Sequence, residues 1–479
     1  MTRHPLGLQD AAFLHAETDA TPNHIAGLLI FQPPAGRPDF LGELLPGLLA
    51  QRPTGFFRRR LQRGLFGIGA QPAMVEAEDV DLDYHVRRIA LPQPGSRAQL
   101  ERVVERIHAR RLDLTRPLWE YYFIEGLAQG QVAIYSKMHH AVVDGMAGVT
   151  LAMAALSTDA ADAATAPWAV EAPTPAPAAT ESVRARLRAL RERGAGVRRL
   201  ALENTLLGLG RMLDGSRSRF LPFDAPNTAF NQRIDGHRRL ATRSIPMDRA
   251  RAVARATDTT LNDIVLAVTG AALRDWLQTH ETLPATSLVA MCPVSVRQGA
   301  GTGNNVSMMF GDLATDEASP LARLARVRTS TVRGKQQIGR LSSTAAQDWA
   351  GLLALGAVLP VGLGLERRVR PLANLVVSNV PGPRESRFLG GAQLVGYFPI
   401  SIVTHGQGLN VTVLSRPEAI DFGLTAARSA VADLDRLADA LVTAFDALEA
   451  AVMDDLEARR RQLPDARDAA PIRRAPRAA

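Results

Sequence analysis

The chain has 479 residues, 46% of them hydrophobic and 22% charged, a globular composition at a length that predicts two domains rather than one core. It has no apolar run of about 18 residues and opens without the apolar core of a signal peptide, so neither a spanning helix nor a leader is expected; the single cysteine, Cys292, excludes an intramolecular disulfide and fits a reducing cytoplasm. The net charge of +8, nearly all from arginine, suits lipid surfaces or phosphates, whereas no helix-turn-helix, zinc finger or aromatic RNA-binding signature points to nucleic acid.

Leu8, Ala12, Phe13 and Leu14 share one helix face, and Asn23 to Phe31 reads as a first strand. Within it His24 reads as a strand-end residue packed near a domain seam. Phe56 to Leu61 and Arg63 to Phe66 mix Phe and Leu with arginine. They are either a membrane-facing patch with snorkelling arginines or, as their shortness and Gly64 and Gly67 favour, an ordinary segment whose Phe residues pack inward. His85, with no Asp-Gly after it, reads as structural. Leu100, Val103, Val104 and Ile107 mark an amphipathic helix over 98–111. Pro117 then sets a bend that Trp119 anchors by burial. Tyr121 to Leu127 is expected to pair with 131–138.

The second of those strands runs into His139-His140-Ala141-Val142-Val143-Asp144-Gly145, and Met146 to Leu156 reads as a helix. Two histidines therefore stand where a strand ends. A histidine titrates near neutrality and can take a proton from a hydroxyl or thiol. His140 lies four residues before Asp144 and is the expected base; His139 is then supporting, Asp144 structural or orienting, for example by pairing with an arginine, and Gly145 allows a tight path and gives room.

From 159 to 180 the composition is mostly Ala, Pro, Asp and Thr, as in an extended linker, with Trp168 placed to dock it. Residues 182–213 are basic and helical by propensity, and a domain change is expected in the loop Phe220 to Asn231. The second half opens with a strand, Arg239 to Ile245, and a helix, Met247 to Ala256. Asn262 and Asp263 begin another helix, where they can cap its start or, for an Asn amide, donate to a developing oxyanion. Gly301 to Asn305 lacks the lysine and spacing of a P-loop, so nucleotide hydrolysis is not expected. Residues 320–368 read as helical, with an apolar stretch at Leu352 to Leu365. Leu375 to Asn379 reads as a buried strand that breaks at Asn379 and turns at Pro381-Gly382-Pro383, leaving Ser378 and Asn379 to contact substrate. Leu394 to Ile402, Gly408 to Leu414 and Ala419 to Leu424 are closing strands, Val431 to Leu456 a final amphipathic helix, and the basic tail from Arg459 is expected to be disordered.

The histidine stretch matches the HHxxxDG motif of the CoA-dependent acyltransferase superfamily, which alone does not choose among chloramphenicol acetyltransferases, plant and carnitine acyltransferases, and the condensation domains of peptide synthetases. Taken with Pro117-Leu118-Trp119, Asn262-Asp263, Pro293 to Arg297 and Ser378 to Pro383 in that order, the chain resembles the bacterial wax ester synthase/diacylglycerol acyltransferase family. It departs from the family pattern at Ser415-Arg416-Pro417-Glu418, where a Ser-Tyr-x-Gly turn is usual, and at Ala426-Ala427-Arg428, which lacks the commoner Asp.

The resemblance implies an α/β (α+β) fold of two chloramphenicol-acetyltransferase-like domains, mixed sheets flanked by helices with the active-site channel between them. The boundaries are 1–157 for the domain bearing HHxxxDG, 158–230 for the linker and basic crossover, 231–458 for the second domain and 459–479 for the tail. It implies transfer of a long-chain acyl group from acyl-CoA, a substrate rather than a cofactor, to diacylglycerol or a fatty alcohol. His140 would be the general base, Asn262 the oxyanion donor, and Gly145, Asp263, Ser378 and Asn379 would line the substrates, with no metal and no other cofactor. A cytoplasmic protein lying on the inner membrane or on lipid inclusions is expected, its oligomeric state open. Two alternatives stand beside this: another superfamily acyltransferase with a different acceptor, and a non-catalytic lipid-binding relative, which would have no need of a base.

Overall fold

The computed structural model describes residues 3–62, 72–170, 225–295, 306–339, 364 and 368–462. The basic segment 182–213, Arg63 to Phe66, the Gly301 to Asn305 turn, most of the apolar stretch at Leu352 to Leu365 and the tail beyond 462 lie outside the described residues. Two six-stranded mixed sheets carry the fold, with a small three-stranded sheet of β1 (Arg3–Pro5), β4 (Ala73–Glu76) and β3 (Arg59–Gln62) beside the first.

The first sheet runs in the order β12 (Phe388–Leu389), β13 (Ala392–Ile400), β2 (His24–Gln32), β7 (Val132–His139), β6 (Trp119–Glu125) and β5 (Val86–Ala90). Strand β7 is paired antiparallel on both sides, to β2 and to β6 as expected. Its residues alternate between two cores. Val132, Ile134 and Met138 pack with α2 (Phe40–Leu49) and α5 (Gly145–Ala154). Ala133 and Tyr135 pack with α4 (Arg97–His108). A strand covered on both faces has no solvent side to show, hence the apolar run from Val132 to Tyr135. Trp168 docks the start of the linker: it is fully buried, stacks on Trp119 at 6.2 Å and donates its indole N–H to the Gln51 carbonyl at 2.9 Å. Phe57 is buried against Trp119, so at that position the inward-packing reading holds. His85 is structural, its Nδ1–H donated to the Trp119 carbonyl at 2.7 Å.

The second sheet has the order β10 (Val306–Asp312), β9 (Val289–Ser295), β11 (Leu375–Pro381), β14 (Leu409–Ser415), β15 (Ala419–Ala427) and β8 (Arg238–Pro246). Its outer face is covered by α6 (Met247–Ala256), α7 (Leu261–His280), α8 (Pro320–Gly339) and α9 (Leu434–Gln462), which bury Val253, Leu273, Leu324 and Leu441 in one cluster. Strand β11 does not break at Asn379; it stays paired in parallel with β14 as far as Pro381, opposite Ser415.

Strand β13 departs from the sequence division. It lies within the segment expected to form the second domain, yet it pairs antiparallel with β2 and completes the first sheet. Nothing in its own residues could announce this, because strand partners are chosen in three dimensions. Two contacts hold the crossing. Gly423 lies so close to the strand that a Cβ there would meet the Pro399 carbonyl oxygen at 1.8 Å. Buried Asp421 accepts the Tyr397 amide at 2.8 Å and Arg416 Nε at 2.5 Å. The unusual turn residue Arg416 is thus a buried anchor, which also donates to the Val395 carbonyl at 2.8 Å. Among the described residues no helix is long and apolar enough to cross a membrane.

Helix α4 fills the space between the sheets. Strand β8 is an edge, and its outward amides would otherwise lie buried without partners. Glu105 accepts the Leu240 amide at 2.9 Å, and Glu101 accepts the Thr242 amide at 2.7 Å and its hydroxyl at 2.6 Å. Burial pushes Glu101 up to about 7, against these Thr242 hydrogen bonds, and raises Glu105 as well. A carboxyl with a higher pKa folded than unfolded favours the fold while protonated. That contribution is complete below its ordinary value and is lost as pH rises through about 7. Melting temperature should therefore decline between about pH 5 and 8. Glu101→Gln, which keeps an oxygen for Thr242, should flatten the decline; thermal melts with the wild-type slope would exclude Glu101 as the titrating group.

Candidate active site

The histidine motif begins where β7 leaves its sheet. His139 is the last paired residue, opposite His24 on β2. The next four residues turn, and Asp144 starts α5 as its N-cap, its carboxylate accepting the Ala147 amide at 2.7 Å. Among the described residues this bond, rather than the expected arginine pair, is what Asp144 makes. Gly145 is the first helical residue. It is not in the left-handed region, and a Cβ built on it would meet nothing within 4 Å. A tight backbone path therefore does not require glycine here, and the space in front of it is open.

The two histidine rings differ in access. His139 is wholly buried. Its Nδ1 accepts the Ala141 amide at 3.1 Å, so the ring hydrogen sits on Nε2, which lies 3.7 Å from Glu17 Oε1. Burial works against the Glu17 carboxylate, but the His139 ring, the Asn23 amide and Arg111 outweigh it and hold its pKa below the ordinary range. His139 is thus closed in by a fixed carboxylate. His140 is only partly exposed, its backbone amide donated to the Asn23 carbonyl at 2.9 Å. Its ring stacks on Phe13 with centroids 4.2 Å apart and planes at 21°. Burial lowers its pKa, against its own backbone hydrogen bond and the attraction of Asp144. The imidazole is therefore neutral at neutral pH, the form a general base requires.

Helix α1 (Leu8–Ala16) and the loop after it form a clamp on this pair that the sequence did not single out. Asn23 donates its side-chain amide to the Phe13 carbonyl at 2.7 Å, and its backbone amide bonds Glu17 at 3.2 Å. Phe13 was visible only as an apolar helix residue. Glu17 and Asn23 have no motif around them; their roles arise from β2 lying beside β7. His24, as expected, is structural: buried, with Nε2–H donated to the His108 carbonyl at 2.8 Å.

The other expected residues gather in the second half. The Asn-Asp pair divides its work. Asp263 is buried and completes the capping box of α7 with the N-cap Thr260, its carboxylate accepting the Thr260 amide at 2.9 Å and hydroxyl at 2.8 Å and the Thr331 hydroxyl of α8 at 2.6 Å. Asn262 instead lines a cavity of about 640 Å³, with Asn379, Cys292 and Lys335 among the other lining residues. Ser378 and Asn379 separate as strand neighbours must. Val377, Asn379 and Pro381 face the cavity. Ser378 belongs to the opposite face with Val380, which joins the cluster containing Val143 and Val149 of the histidine motif and α5. His140 is not among the cavity's lining residues; β11 is the element that connects the two places. Among the described residues no cluster of three or more His, Cys, Asp or Glu is placed to hold a metal ion.

Comparison with known proteins finds the same pattern over most of the chain. Residues 6–265 match the family model described as the wax ester synthase/diacylglycerol acyltransferase catalytic domain, and residues 302–449 match its C-terminal domain. A Mycobacterium tuberculosis protein with a provisional diacylglycerol O-acyltransferase name is 38% identical over 447 residues, covering 92% of this chain and 99% of the relative. O-acyltransferase WSD of Acinetobacter baylyi is 35% identical over 444 residues, covering 90% of this chain and 94% of that one. The solved structure of a wax ester synthase/diacylglycerol acyltransferase from Marinobacter aquaeolei superposes with a TM-score of 0.74 at 31% identity, covering 94% of this chain and 100% of that one.

The open space at Gly145 separates fold from function. Gly145→Ala should leave the melting temperature unchanged or slightly raised, since alanine is favoured in helices by up to ~1 kcal/mol. Gly145→Phe should fold as well but lose turnover by filling the space. A drop of several degrees in the alanine variant would show that the backbone itself requires glycine.

Proposed function

The chain belongs to the wax ester synthase/diacylglycerol acyltransferase family, and from that premise we propose that it transfers a long-chain acyl group from acyl-CoA to the hydroxyl of diacylglycerol or a fatty alcohol. The observation that carries the assignment of roles is the contrast within the histidine pair: one ring sealed against Glu17, the other neutral and partly exposed.

His140 takes the acceptor's hydroxyl proton as the oxygen attacks the thioester carbonyl. The tetrahedral intermediate collapses, the carbon–sulfur bond breaks, and protonated His140 returns the proton to the departing CoA thiolate. The products are an ester and free CoA. His139 and Glu17 hold the strand end rigid behind the base. Asp144 caps α5 and lends its negative charge to the imidazolium formed in the transition state. Asn262 is assigned to the donor side, its amide donating to the carbonyl oxygen as charge develops there. Gly145 leaves room for substrate, and Ser378 and Asn379 serve opposite faces of β11. No acyl-enzyme is required. Cys292 is a poor candidate for one, because burial pushes its thiol up to about 12. No cofactor enters the reaction. Both substrates being lipids, the protein works at the membrane surface or on lipid inclusions, held there by its excess of arginine.

Incubation with labelled palmitoyl-CoA and either hexadecanol or diolein should yield the corresponding ester; folded protein that forms neither product would refute the proposal. His140→Ala should lower turnover by about 10²–10⁴-fold without unfolding the chain, and His139→Ala should cost less. Because the base must be unprotonated and burial lowers its pKa, kcat/KM should fall only as pH drops below the ordinary histidine range of about 6.5. An acid limb above that value would argue against His140. Sedimentation with anionic liposomes should weaken as salt rises; salt-independent attachment would exclude an electrostatic hold.

A further inference from the structure

We propose that the cavity beside Asn262 is the docking site for the phosphate-bearing end of the acyl-CoA donor, with Arg251, Lys335 and Arg384 as its phosphate ligands. The inference rests on the acyltransferase reading for the identity of the donor, but the site is argued from its own charges. The cavity, about 640 Å³, lies at the carboxyl ends of the parallel strands β11 and β14, where Pro381 and Ser415 line it. In open sheets containing parallel strands, ligands collect at that end.

Three cations reach it from three elements: Arg251 from α6, Lys335 from α8 and Arg384 from the turn after β11. All three are exposed, and among the described residues none makes a hydrogen bond or an ion pair. This is unusual for the chain. Arg249, two residues before Arg251, is paired to Asp446 and Glu449, and Arg328 on α8 is paired to Asp258. Arg416, also on the cavity wall, is neutralised by Asp421 and Glu418. Among the described residues no Asp or Glu lines the cavity. Lys335 is also one of only two lysines in the sequence, the other being the buried Lys137.

Three unpaired positive charges converging without a carboxylate fit a ligand that carries several phosphates. The remainder of the wall is largely apolar, with Met247, Leu261, Met309 and Val377 beside the two amides of Asn262 and Asn379. Such a lining suits the pantetheine arm, a chain of methylenes interrupted by amides. CoA combines these features: a 3′-phosphate and a pyrophosphate at one end, a pantetheine arm at the other. An anionic lipid headgroup shares the phosphate chemistry, but a single phosphodiester would leave most of the charge unmatched.

The test is calorimetric titration of the full chain with free CoA, 3′-dephospho-CoA and phosphatidylglycerol vesicles. The variants are Arg251→Gln, Lys335→Gln, Arg384→Gln and the triple substitution. The side chains are exposed, and circular dichroism would check that the fold is kept. The triple variant should bind CoA at least tenfold more weakly and raise KM for palmitoyl-CoA by a similar factor, with KM for hexadecanol unchanged. Wild-type affinity for 3′-dephospho-CoA should fall below that for CoA, and both should weaken with salt. Unchanged CoA affinity in the triple variant would overturn the proposal, as would loss of vesicle binding alone, which would assign the cations to a lipid headgroup. The two readings separate cleanly. CoA binding that is lost in the variant although wild type transfers no acyl group supports this site and refutes the transferase. Acyl transfer with an unchanged KM in the variant does the reverse.

Discussion

The buried carboxylate of Asp421 ties together strands that the chain keeps far apart. It takes the Ser244 hydroxyl of β8 at 2.6 Å, the Tyr397 amide of β13 at 2.8 Å and Arg416 Nε at 2.5 Å. One side chain thereby joins the edge of the second sheet, the turn between β14 and β15 and the strand loaned to the first sheet. A charge removed from water is costly unless paired and fully hydrogen-bonded. Its pairing here fixes the offset between the two halves, since each partner has one acceptable position. Losing one member would leave the other charged and buried, at a cost of about 3–5 kcal/mol.

From that offset follow the positions of both functional regions. Strand β13 pairs with β2, β2 pairs with β7, and β7 ends at the histidines. The loop from α1 into β2 then lies over the end of β7 and clamps it through Phe13, Glu17 and Asn23. The result is a division of labour within adjacent residues. Side chains of neighbouring strand residues point to opposite faces. His139 faces the sealed side with Tyr135 and Lys137. His140, just past the strand, is partly exposed. The same rule divides Ser378 from Asn379 on β11, one on the face that carries Val380 toward the first half and the other on the cavity wall.

Electrostatics separates the two regions as well. At the histidine end, burial keeps His140 neutral while Asp10 and Asp144 supply negative charge nearby; burial, with the repulsion of Asp144 adding to it, raises the pKa of Asp10. At the cavity, Arg251, Lys335 and Arg384 bring positive charge without a carboxylate partner among the described residues. A proton held on the imidazole is favoured in the first setting and a polyanionic group in the second. Helix α4 sits at the seam between the sheets, where its glutamates satisfy the edge of β8.

Much of this was legible in the order of residues. The strand and helix around the histidine motif, the docked Trp168, the structural roles of His24 and His85 and the family itself follow from local pattern, because apolar spacing, caps and turn residues act over a few positions. The Asn-Asp pair allowed for one residue at the helix start and one turned elsewhere, and in the structure Asp263 completes the capping box while Asn262 lines the cavity. What the sequence could not determine was anything set by partners distant along the chain. The place of β13 in the first sheet, the value of Arg416 as an anchor, the clamp of Glu17 and Asn23 on the histidines and the meeting of Arg251, Lys335 and Arg384 were decided by tertiary structure. Hydrogen bonds between strands and charges brought together across a cavity leave no local periodicity, so only the folded chain brings those residues together.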